Sequence, residues 1–573
     1  MEIAYPDELE WSPLPFSGSW GISTSFFKVA AWEAKSGKRD QAVTVSVPQR
    51  AQEIAEAIAE AVGTPDGFES SEAVRGYLNF SYSTAEFSRR VLSQILTEGS
   101  GYGCAEANRE IVMVEFSQPN THKAFHVGHL RNVILGESLS RILECAGYEV
   151  VRANYIGDIG LHVIKWLWNY QNNHAGEQPG PDKTRWMGDL YSEAEQRSEG
   201  SQEAEGEIRA LFARWDKREP EVVALWEQTR QWSLDGFNQI YDMLGVAFDR
   251  FYFESEEEDP GKALVEEMIN KNLAVDERPD GPVIIRLDDL VDPEKDEYRV
   301  LVLLRSDSTS LYATKDLPLA IRKFEEYPLA RSIYVIDVRQ SFYMKQIYKT
   351  LELMGYPWAD RLYHFPYEIV NLPGNVTMSS REGTVVLLED LVREANARAL
   401  EIVQEKNPEL EEEVKAGVAQ AVGLAAIKFP MLARENTKKV TFDWQAALDF
   451  EGQAAPYIQY AGVRAGSILR RHPTDIPALP ETLPKLEPAE IQLVDELSRY
   501  PAEIQRAGKE LKTLHISNYA YGLARAFNDF YNQCPVLQAE PDVQAFRLHL
   551  VAAAKITLTN ALETLGIDSP EVM

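Results

Sequence analysis

Two histidines three residues apart lie in the segment of this sequence that is best suited to chemistry. The segment, residues 115–132, reads EFSQPNTHKAFHVGHLRN and contains His126, Gly128 and His129. We expect a helix to begin near His126, so that both imidazoles project from its first turn beside free backbone N–H groups, which attract anions. Gly128 leaves room for a planar group to approach closely. Such a pair of imidazoles could stabilise charge that develops on a phosphorus atom.

A second interpretation of the histidines is metal binding by His122, His126 and His129. No downstream Cys/His pair completes a tetrahedral ligand set, so we predict no structural metal. Each histidine taken alone would more often be structural than catalytic. The combination of the two histidines with a strand, a turn, a glycine and a helix start is what favours catalysis.

The elements that must position this segment form a βαβ unit. Residues 111–116 are a short apolar run typical of a buried parallel strand, and residues 149–155 resemble the next strand. Between them, apolar residues recur at helical spacing from His126 to Cys145, and Gly147 lies where such a helix would end. This order predicts a doubly wound α/β domain.

The region before this unit has mixed patterns. Residues 51–62 have helical spacing, and residues 77–82 alternate like a strand. The glycine cluster at 99–103 could suggest a phosphate loop. It precedes the next strand instead of following one, however, so we interpret it as a linker.

The rest of the chain is mostly helical in pattern. Residues 165–299 resemble an insertion of polar helices and loops, and strand patterns return at 300–304 and 332–336. Within the insertion, residues 251–300 have 16 acidic and 6 basic side chains, which we interpret as a solvated face. From residue 417 onward the pattern is almost wholly helical, apart from a Pro-interrupted loop at 473–488.

Composition excludes some classes of protein. The 573 residues suggest three or four domains at roughly 150 residues each. With 58 Lys and Arg against 89 Asp and Glu, the net charge of −31 excludes a polycation that coats nucleic acid or membranes, although a local basic surface stays possible.

The cysteines and the apolar runs indicate the cellular compartment in which the protein would act. Cys104, Cys145 and Cys534 form no C-x-x-C pair, so we predict neither a disulfide framework nor a zinc site, and we expect a reducing, cytoplasmic environment. The N-terminus lacks the pattern of a signal peptide. No apolar run approaches the ~18 residues that would span a membrane.

The motifs together resemble one family. HVGH is similar to the HIGH-type signature of class I aminoacyl-tRNA synthetases, and residues 115–132 resemble the arginyl-tRNA synthetases in particular. The likeness continues in the family's order over nearly the whole chain, through NYIGDIG (154–160), LYATKD (311–316), YVIDVRQ (334–340), TMSSREGTVV (377–386) and the C-terminal LGIDSPEVM.

The resemblance implies an arginine–tRNA ligase that joins arginine to tRNA(Arg) at the expense of ATP. It implies that five residues hold the arginine substrate: Glu115, Asn120, Tyr312, Asp316 and Gln340. A guanidinium group presents five donors in a fixed fork, and acceptors of these types suit it. Two alternatives stay open, namely that Asp316 caps a helix and that Glu115 pairs with a nearby Arg or Lys.

The second signature of the family, a KMSKS-type loop, is altered here. The resemblance assigns catalytic roles in this loop to Met378, Ser379, Ser380 and Arg381, and it assigns ATP binding to His126, Gly128, His129 and Met378. The leading lysine is replaced by Thr377. We hypothesise that Lys123 supplies the missing charge to the ATP phosphates. The alternative is that Lys123 is a solvent-facing loop lysine.

The resemblance also implies how the chain is divided. We predict a small α+β N-terminal domain over residues 1–108 that binds the tRNA D-loop, a Rossmann-type catalytic domain over 109–455 with the signature loop at 375–386, and an all-α anticodon-binding domain over 456–573. The expected partners are tRNA(Arg), L-arginine and ATP, with Mg²⁺ accompanying ATP. We expect a monomer that acts in the cytoplasm and does not bind membranes.

The residues that contact tRNA are harder to predict. The resemblance suggests that Tyr77 stacks on an unpaired D-loop base and that Asn79 reads its edge. The alternative is that Tyr77 belongs to the core and Asn79 to a turn. A phosphate track along one C-terminal helical stretch is plausible for four cations: Arg499, Arg506, Lys509 and Lys512.

Two other classes of function remain. A synthetase-like RNA-binding protein without activity is supported only by Thr377, and retention of His126 and His129 argues against it. A class I enzyme for another amino acid is disfavoured by the acidic pair Glu115 and Asp316.

Overall fold

Contacts between residues divide the chain into two compact units. The computed structural model describes residues 9–14, 20–35, 45–291, 297–372, 376–377, 387–473, 475–480 and 482–573. One unit comprises Met1–Tyr102, Ala461–Pro501 and Gly522–Asn560, and the other comprises Gly103–Tyr460, Ala502–Tyr521 and Ala561–Met573. The N-terminal segment and part of the C-terminal helices therefore share one unit. The three-part division at 108 and 455 stays a prediction.

The N-terminal segment is an α+β structure. Its elements are β1 (Trp11–Pro13), β2 (Gly21–Ser25), α1 (Phe27–Lys35), α2 (Val47–Val62), β3 (Phe68–Val74), β4 (Tyr77–Tyr82) and α3 (Thr84–Glu98). The strands form an antiparallel sheet in the order β1-β2-β4-β3. Alternation in β4 turns Leu78 and Phe80 into a core with Ala51 and Ile54 of α2. The helix and the strand expected here are confirmed.

The C-terminal helices complete this unit by specific hydrogen bonds. The indole N–H of Trp20 donates to Asp495 Oδ1 at 2.8 Å, and the hydroxyl of Tyr102 donates to the carbonyl of Leu497 at 2.8 Å. Both contacts join residues that are almost four hundred or more positions apart in the sequence. The N-terminal sheet structure is therefore stabilised by distant helices, which a reading of local patterns does not predict.

The predicted βαβ unit is confirmed. The next elements are β5 (Ile111–Glu115), α4 (Val127–Cys145), β6 (Glu149–Ile156), α5 (Leu161–Asn173), α6 (Lys183–Ser198), α7 (Gln202–Asp216), α8 (Pro220–Leu244), β7 (Arg250–Phe253) and α9 (Glu254–Asn270). β5 and β6 are adjacent and parallel, with α4 between them in the chain. The helices α5 to α8 enclose a core rich in tryptophan that includes Trp166, Trp215 and Trp226.

The strand β7 lies inside the predicted insertion but belongs to the central sheet. It pairs in parallel with β6, from Ala153↔Arg250 to Ile156↔Phe253. The polar pattern around it masks a four-residue strand, which is too short for a periodic signal. The insertion as predicted over residues 165–299 therefore includes one edge strand of the catalytic sheet.

The central sheet is parallel and five-stranded. The next elements in the chain are β8 (Val275–Asp276), β9 (Val283–Arg286), α10 (Leu287–Leu290), β10 (Val300–Leu304), α11 (Tyr312–Glu326), β11 (Leu329–Asp337), α12 (Ser341–Leu353) and β12 (Leu362–Tyr367). Of these, β11 and β12 belong to the central sheet. The strand order is β12-β11-β5-β6-β7. The strand expected at 300–304 is β10, which lies in a separate antiparallel sheet with β9 and β8.

The last part of the chain is helical apart from three short strands. Its elements are β13 (Val370–Leu372), β14 (Val376–Thr377), α13 (Leu388–Lys406), α14 (Glu412–Leu432), β15 (Val440–Thr441), α15 (Trp444–Ala447), α16 (Ala455–Arg471), α17 (Pro488–Glu510), α18 (Thr513–Gln533) and α19 (Pro541–Thr564). The interruption between α16 and α17 is the expected proline-rich loop. Within the described residues, no helix combines the length and the apolar character needed to cross a lipid bilayer.

A disulfide contradicts the expectation from cysteine spacing. Cys104 and Cys145 are bonded, 41 residues apart in the sequence. The N–H of Ala105 donates to the carbonyl of Cys145 at 2.8 Å, and the N–H of Asn108 donates to that of Gly147 at 2.8 Å. These two bonds lay the segment before β5 against the end of α4 and bring the sulfurs together. Sequence spacing could not show this proximity.

Candidate active site

The two signature histidines are fixed to each other by the main chain. His126 is the N-cap of α4, and its Nδ1 accepts a hydrogen bond from the N–H of Gly128 at 3.0 Å. The Nδ1 of His129 accepts from the N–H of His126 at 3.3 Å. The two rings stack with centroids 4.0 Å apart and planes inclined by 27°. The predicted pairing of both imidazoles at the start of one helix is confirmed.

These hydrogen bonds determine the protonation of the rings. In each ring Nδ1 is an acceptor, so a neutral imidazole must carry its proton on Nε2. Burial and the nearby Lys123 charge lower the pKa of His126 to about 4, and burial with the His126 charge holds the pKa of His129 well below its ordinary value. Near neutral pH both rings are therefore uncharged donors through Nε2–H.

Gly128 is required by the ring of His126. A Cβ at this position would lie 2.7 Å from Cε1 and 2.8 Å from Nδ1 of His126. Such distances are well inside van der Waals contact, so any side chain would displace the ring. The space that we expected for a ligand is therefore taken first by the neighbouring histidine.

Lys123 lies close to this site and is not a solvent-facing loop residue. Its side chain is half-buried, and Nζ lies 5.0 Å from the ring centroid of Tyr191. Burial lowers the pKa of Lys123. Its charge in turn lowers the pKa of His126, His129 and His162, which places it within electrostatic range of all three rings. The solvent-facing alternative is wrong.

His122 has a structural role. Its Nδ1 is 2.9 Å from the hydroxyl of Thr121, its Nε2 is 2.8 Å from the hydroxyl of Thr229, and the side chain is fully buried. With both nitrogens engaged, His122 has no free ligand atom. In the part of the chain that the structure describes, no group of three or more His, Cys, Asp or Glu side chains could hold a metal ion.

Glu115 forms a buried ion pair at the end of β5. Its Oε2 contacts Nζ of Lys323, and the two side chains are 3% and 0% exposed. Its Oε1 accepts a hydrogen bond from Gln118 Nε2 at 2.9 Å. The alternative that Glu115 pairs with a nearby Lys is therefore confirmed, and the partner lies 208 residues away.

Asp316 lies one turn into α11 and does not cap it. The N-cap is Leu311, and the carboxylate of Asp316 accepts a hydrogen bond from the hydroxyl of Tyr343. Burial, together with the charge of Glu115, raises the pKa of Asp316 to about 6. The capping alternative is wrong, and the two expected carboxylates lie within electrostatic range of each other.

The other three expected arginine contacts lie on different loops. Asn120 forms an isolated bridge with Gly157, where a Cβ would lie 2.4 Å from Asn120 Oδ1. The glycine of NYIGDIG is therefore needed for this close approach. Tyr312, at the first turn of α11, is 71% exposed, and Gln340 is exposed in the turn after β11. The structure records no direct contact between these three side chains.

Sequence reasoning missed a carboxylate in the acidic stretch. Glu254, the first residue of α9, is 7% exposed, and Lys315 Nζ lies 3.6 Å from its Oε2. Burial and the charges of Asp316 and Asp158 raise its pKa to about 7, against the opposing charge of Lys315. Asp158 pairs with Arg230 at 2.9 Å. The expectation of a solvated face therefore fails for this residue.

We refer to Glu115, Asp158, Glu254 and Asp316 as the acidic pocket. Each of the four perturbs, or is perturbed by, another through its charge. A cluster of carboxylates in which three are buried and Asp316 is partly exposed is suited to a cation that brings several N–H donors. No pattern in the sequence indicated Glu254, because its neighbours in the chain are also acidic, whether exposed as Glu256 or buried as Glu257.

Arg131, the fifth residue of α4, joins the first signature to the strands that precede the second. Its side chain is fully buried. It donates to the carbonyls of Glu368 and Lys438, and more weakly to that of Glu435. These acceptors lie next to β13 and β15, and β13 pairs with β14, which includes the first residue of the second signature, Thr377. Met378, Ser379, Ser380 and Arg381 lie outside the described residues.

The expected D-loop contacts lie on one face of β4. Tyr77 is 44% exposed, and Asn79 accepts a hydrogen bond from the hydroxyl of Ser23 at 2.7 Å. Leu78 and Phe80 point to the opposite, buried face. Tyr77 is therefore not a core residue and Asn79 is not in a turn, so the alternative for this pair is wrong.

The expected phosphate track is largely neutralised by its neighbours. Arg499, Arg506 and Lys512 each lie within 4 Å of acidic side chains, and Arg499 pairs with Asp495 at 2.5 Å. Exposed pairs of this kind are weak and can exchange partners. A tRNA phosphate would therefore have to displace these acidic side chains before it could bind the cations of this stretch.

Comparison with known proteins agrees with the geometry. A family model described as tRNA synthetases class I (R), catalytic domain, matches residues 91–444, and one described as DALR anticodon binding domain matches residues 458–573. The chain is 36% identical over 527 residues to an arginine–tRNA ligase of Clostridium perfringens, covering 91% of this chain and 90% of that protein.

Two further comparisons agree. An arginine–tRNA ligase of Treponema pallidum is 35% identical over 528 residues, covering 90% of this chain and 87% of its own. The solved arginyl-tRNA synthetase of Thermus thermophilus superposes with a TM-score of 0.77 at 26% identity, covering 100% of this chain and 97% of that one. The chain therefore belongs to the class I arginyl-tRNA synthetase family.

Proposed function

We propose that this protein activates L-arginine with ATP to arginyl-adenylate and transfers the arginyl group to the 3′-terminal adenosine of tRNA(Arg), with release of pyrophosphate and AMP. Family membership supports the overall reaction. The observation that carries the proposal is the position of the two groups around β5: this strand ends at Glu115 of the acidic pocket, and the loop that follows it leads to the two Nε2–H donors at the start of α4. One part suits phosphate and the other suits a guanidinium.

The first step needs charge stabilisation and no covalent protein intermediate. The arginine carboxylate attacks the α-phosphorus in line, and pyrophosphate leaves. His126 and His129 would donate Nε2–H to phosphoryl oxygens as neutral groups, because their pKa values are too low for them to be charged. The positive charge would then come from Lys123, whose pKa is lowered by burial but whose ordinary value is far above neutrality.

Selection of arginine would rest on the acidic pocket. Glu115 and Asp316 would accept N–H bonds from the guanidinium, with Asn120, Tyr312 and Gln340 as the remaining expected contacts. A neutral or shorter side chain would lack these charge-assisted hydrogen bonds, each of which contributes about 1.5–3 kcal/mol. We also propose that Mg²⁺ accompanies ATP and is held mainly by its phosphates.

The roles of the other expected residues remain part of the proposal. Met378, Ser379, Ser380 and Arg381 would close on ATP during the first step. Tyr77 and Asn79 would contact the D-loop of tRNA(Arg). We further expect the enzyme to act as a monomer in the cytoplasm.

One assay tests the function against its alternatives. ATP–pyrophosphate exchange is measured with each amino acid in turn, in the presence and absence of tRNA(Arg). Exchange with arginine alone is the expected result. No exchange with any amino acid would support an RNA-binding protein without activity, and exchange with a different amino acid would support another class I specificity.

A further inference from the structure

Charge compensation in the acidic pocket is uneven. Glu115 pairs with Lys323, Asp158 with Arg230, and Glu254 lies 3.6 Å from Lys315. Asp316 instead accepts a hydrogen bond from the neutral hydroxyl of Tyr343.

Among the described residues, no cation lies at ion-pair distance from Asp316. Three of the four carboxylates of the acidic pocket therefore have a cationic partner and one does not. Asp316 is therefore the carboxylate of this group that is open to a cationic ligand such as a guanidinium, while Lys323 and Lys315 act on it only at longer range.

Lys323 is a buried cation with defined neighbours. It is fully buried, on the same face of α11 as Asp316, seven residues further along. Its Nζ lies 4.1 Å from the ring centroid of Tyr334 on β11 and 5.8 Å from that of Tyr252 on β7. Two aromatic faces and one carboxylate therefore enclose the ammonium group.

We propose that Lys323 is a positioning residue for arginine recognition: it fixes one oxygen of Glu115, places a positive charge against that carboxylate, and leaves Asp316 as the one carboxylate of the acidic pocket without a described cation at ion-pair distance. Gln118 occupies the other oxygen from one side, so the orientation of the carboxylate is set before the substrate arrives. This inference rests on the proposed function, because it assumes that Glu115 faces the guanidinium.

The physical reason is the cost of two like charges in a buried site. Without Lys323, the carboxylates of Glu115 and Asp316 would be two like charges in a largely buried site, which favours the uptake of one proton by the pair. A protonated carboxyl group donates where the guanidinium needs an acceptor. Arginine binding would then become coupled to the loss of that proton.

The titratable groups around Glu115 are Lys323 and Asp316 on α11, Tyr155 on β6, Tyr334 on β11 and Tyr348 on α12. Glu254 on α9, with a pKa of about 7, acts on Asp316 from the other side of the acidic pocket. Burial raises the pKa of all three tyrosines above 10. A new titration near neutrality in a Lys323 variant would therefore belong to the carboxylates.

The test is the pH profile of the KM for arginine, measured by exchange in the presence of tRNA(Arg). Lys323→Met should raise this KM about tenfold or more at pH 7, and should move the midpoint of the profile upward by about one pH unit or more. The KM for ATP should stay unchanged. Lys323→Arg should restore the wild-type profile, because it keeps a cation against Glu115.

Two further variants keep the test decisive. Lys271→Met removes an exposed lysine paired with Glu267 and should leave the profile unchanged. Glu115→Gln with Lys323→Met removes both charges, so it should fold even if the single variant does not, and its profile should return to the wild-type midpoint. Thermal unfolding checks that each variant is folded.

The outcomes separate this inference from the proposed function. Absence of arginine exchange by the wild-type protein would refute the proposed function. Wild-type exchange together with a folded Lys323→Met variant that keeps the wild-type KM and midpoint would overturn the role of Lys323 alone. A double variant that retains the upward shift would overturn it as well, because the shift could then not come from Glu115.

Discussion

The imidazole rings of His126 and His129 stack on each other with their centroids 4.0 Å apart. Backbone N–H groups of the first turn of α4 hold the Nδ1 atom of each ring. Both Nε2–H donors are therefore oriented before any substrate binds. Donors that need no reorganisation during the reaction stabilise developing charge most effectively.

Gly128→Ala should disrupt this orientation. The added methyl group would lie 2.7 Å from the ring of His126 and force it out of the stack. We expect kcat for arginine-dependent exchange to fall by about 100-fold, as for other small misplacements of catalytic groups. Gly417→Ala, in a helix where a Cβ meets nothing within 4 Å, is the matched control and should retain full activity. A normal rate for Gly128→Ala would show that the stacked arrangement is not the active one.

Lys123→Ala should abolish adenylate formation and spare tRNA binding. Loss of the cation that we assign to the place of the missing signature lysine should lower the exchange rate by about 100-fold. The measurement pairs exchange kinetics with a tRNA binding constant. Lys183→Ala, which removes a partly buried lysine that pairs with Asp235, serves as the control. The hypothesis fails if the exchange rate of Lys123→Ala is near normal.

Arginine binding should weaken in acid because of Asp316. Its pKa is raised to about 6, so the carboxylate is charged above that pH and is lost as a partner for the guanidinium below it. We expect the KM for arginine to rise about tenfold per pH unit below pH 6. The histidines do not interfere, since the pKa of His126 is only about 4.

Asp316→Asn should remove this pH dependence. The neutral side chain should raise the KM for arginine by about 100-fold at pH 7.5, the usual cost of losing a charge-assisted bond. Glu254, with a pKa of about 7, is the nearest group that could mimic the effect. A Glu254→Gln variant that still shows the acidic rise assigns the effect to Asp316, and a flat wild-type profile between pH 5 and 8 would contradict the prediction.

Tyr77→Ala and Asn79→Ala should weaken tRNA binding without changing the site of activation. Stacking on one base contributes about 1–3 kcal/mol, so Tyr77→Ala should raise the dissociation constant for tRNA(Arg) by about tenfold or more. Val62→Ala, at an equally exposed apolar position, is the control. Equal affinity of the Tyr77 and Val62 variants would exclude a base contact at Tyr77.

Reduction should lower the stability of the protein. A disulfide that closes a loop of 41 residues stabilises by about 4 kcal/mol in the chain-entropy description. Dithiothreitol should therefore lower Tm, and Cys104→Ser should reproduce the lower value and be insensitive to the reagent. Titration of the denatured, unreduced protein should detect one thiol, from Cys534. Three thiols would show that Cys104 and Cys145 are not bonded.

Features within one stretch of sequence were predictable. The strand, turn and helix around His126 and His129 follow from apolar spacing and from Gly128, all within about forty residues. The alternation in β4 likewise placed Tyr77 and Asn79 on one face. Local periodicity determines which face a side chain occupies, and this suffices where the neighbours in space are also neighbours in sequence.

Features that depend on distant contacts were not predictable. The ion pair of Glu115 with Lys323 and the disulfide of Cys104 with Cys145 join residues far apart in the chain. Glu254 was not predictable for another reason: the sequence does not distinguish a buried glutamate from an exposed one in the same acidic stretch. Its environment is determined by the packing of α9 beside α11, and a count of charged residues gives no information about this packing.

Arg131 bonds to carbonyl oxygens of the main chain, and this has an evolutionary consequence. Every residue type offers the same backbone carbonyl, so the side chains at positions 368, 435 and 438 can change without removing an acceptor. The arginine itself has no such freedom, because only its forked guanidinium reaches several carbonyls at once. Substitutions should therefore be common among relatives at the three acceptor positions and rare at position 131.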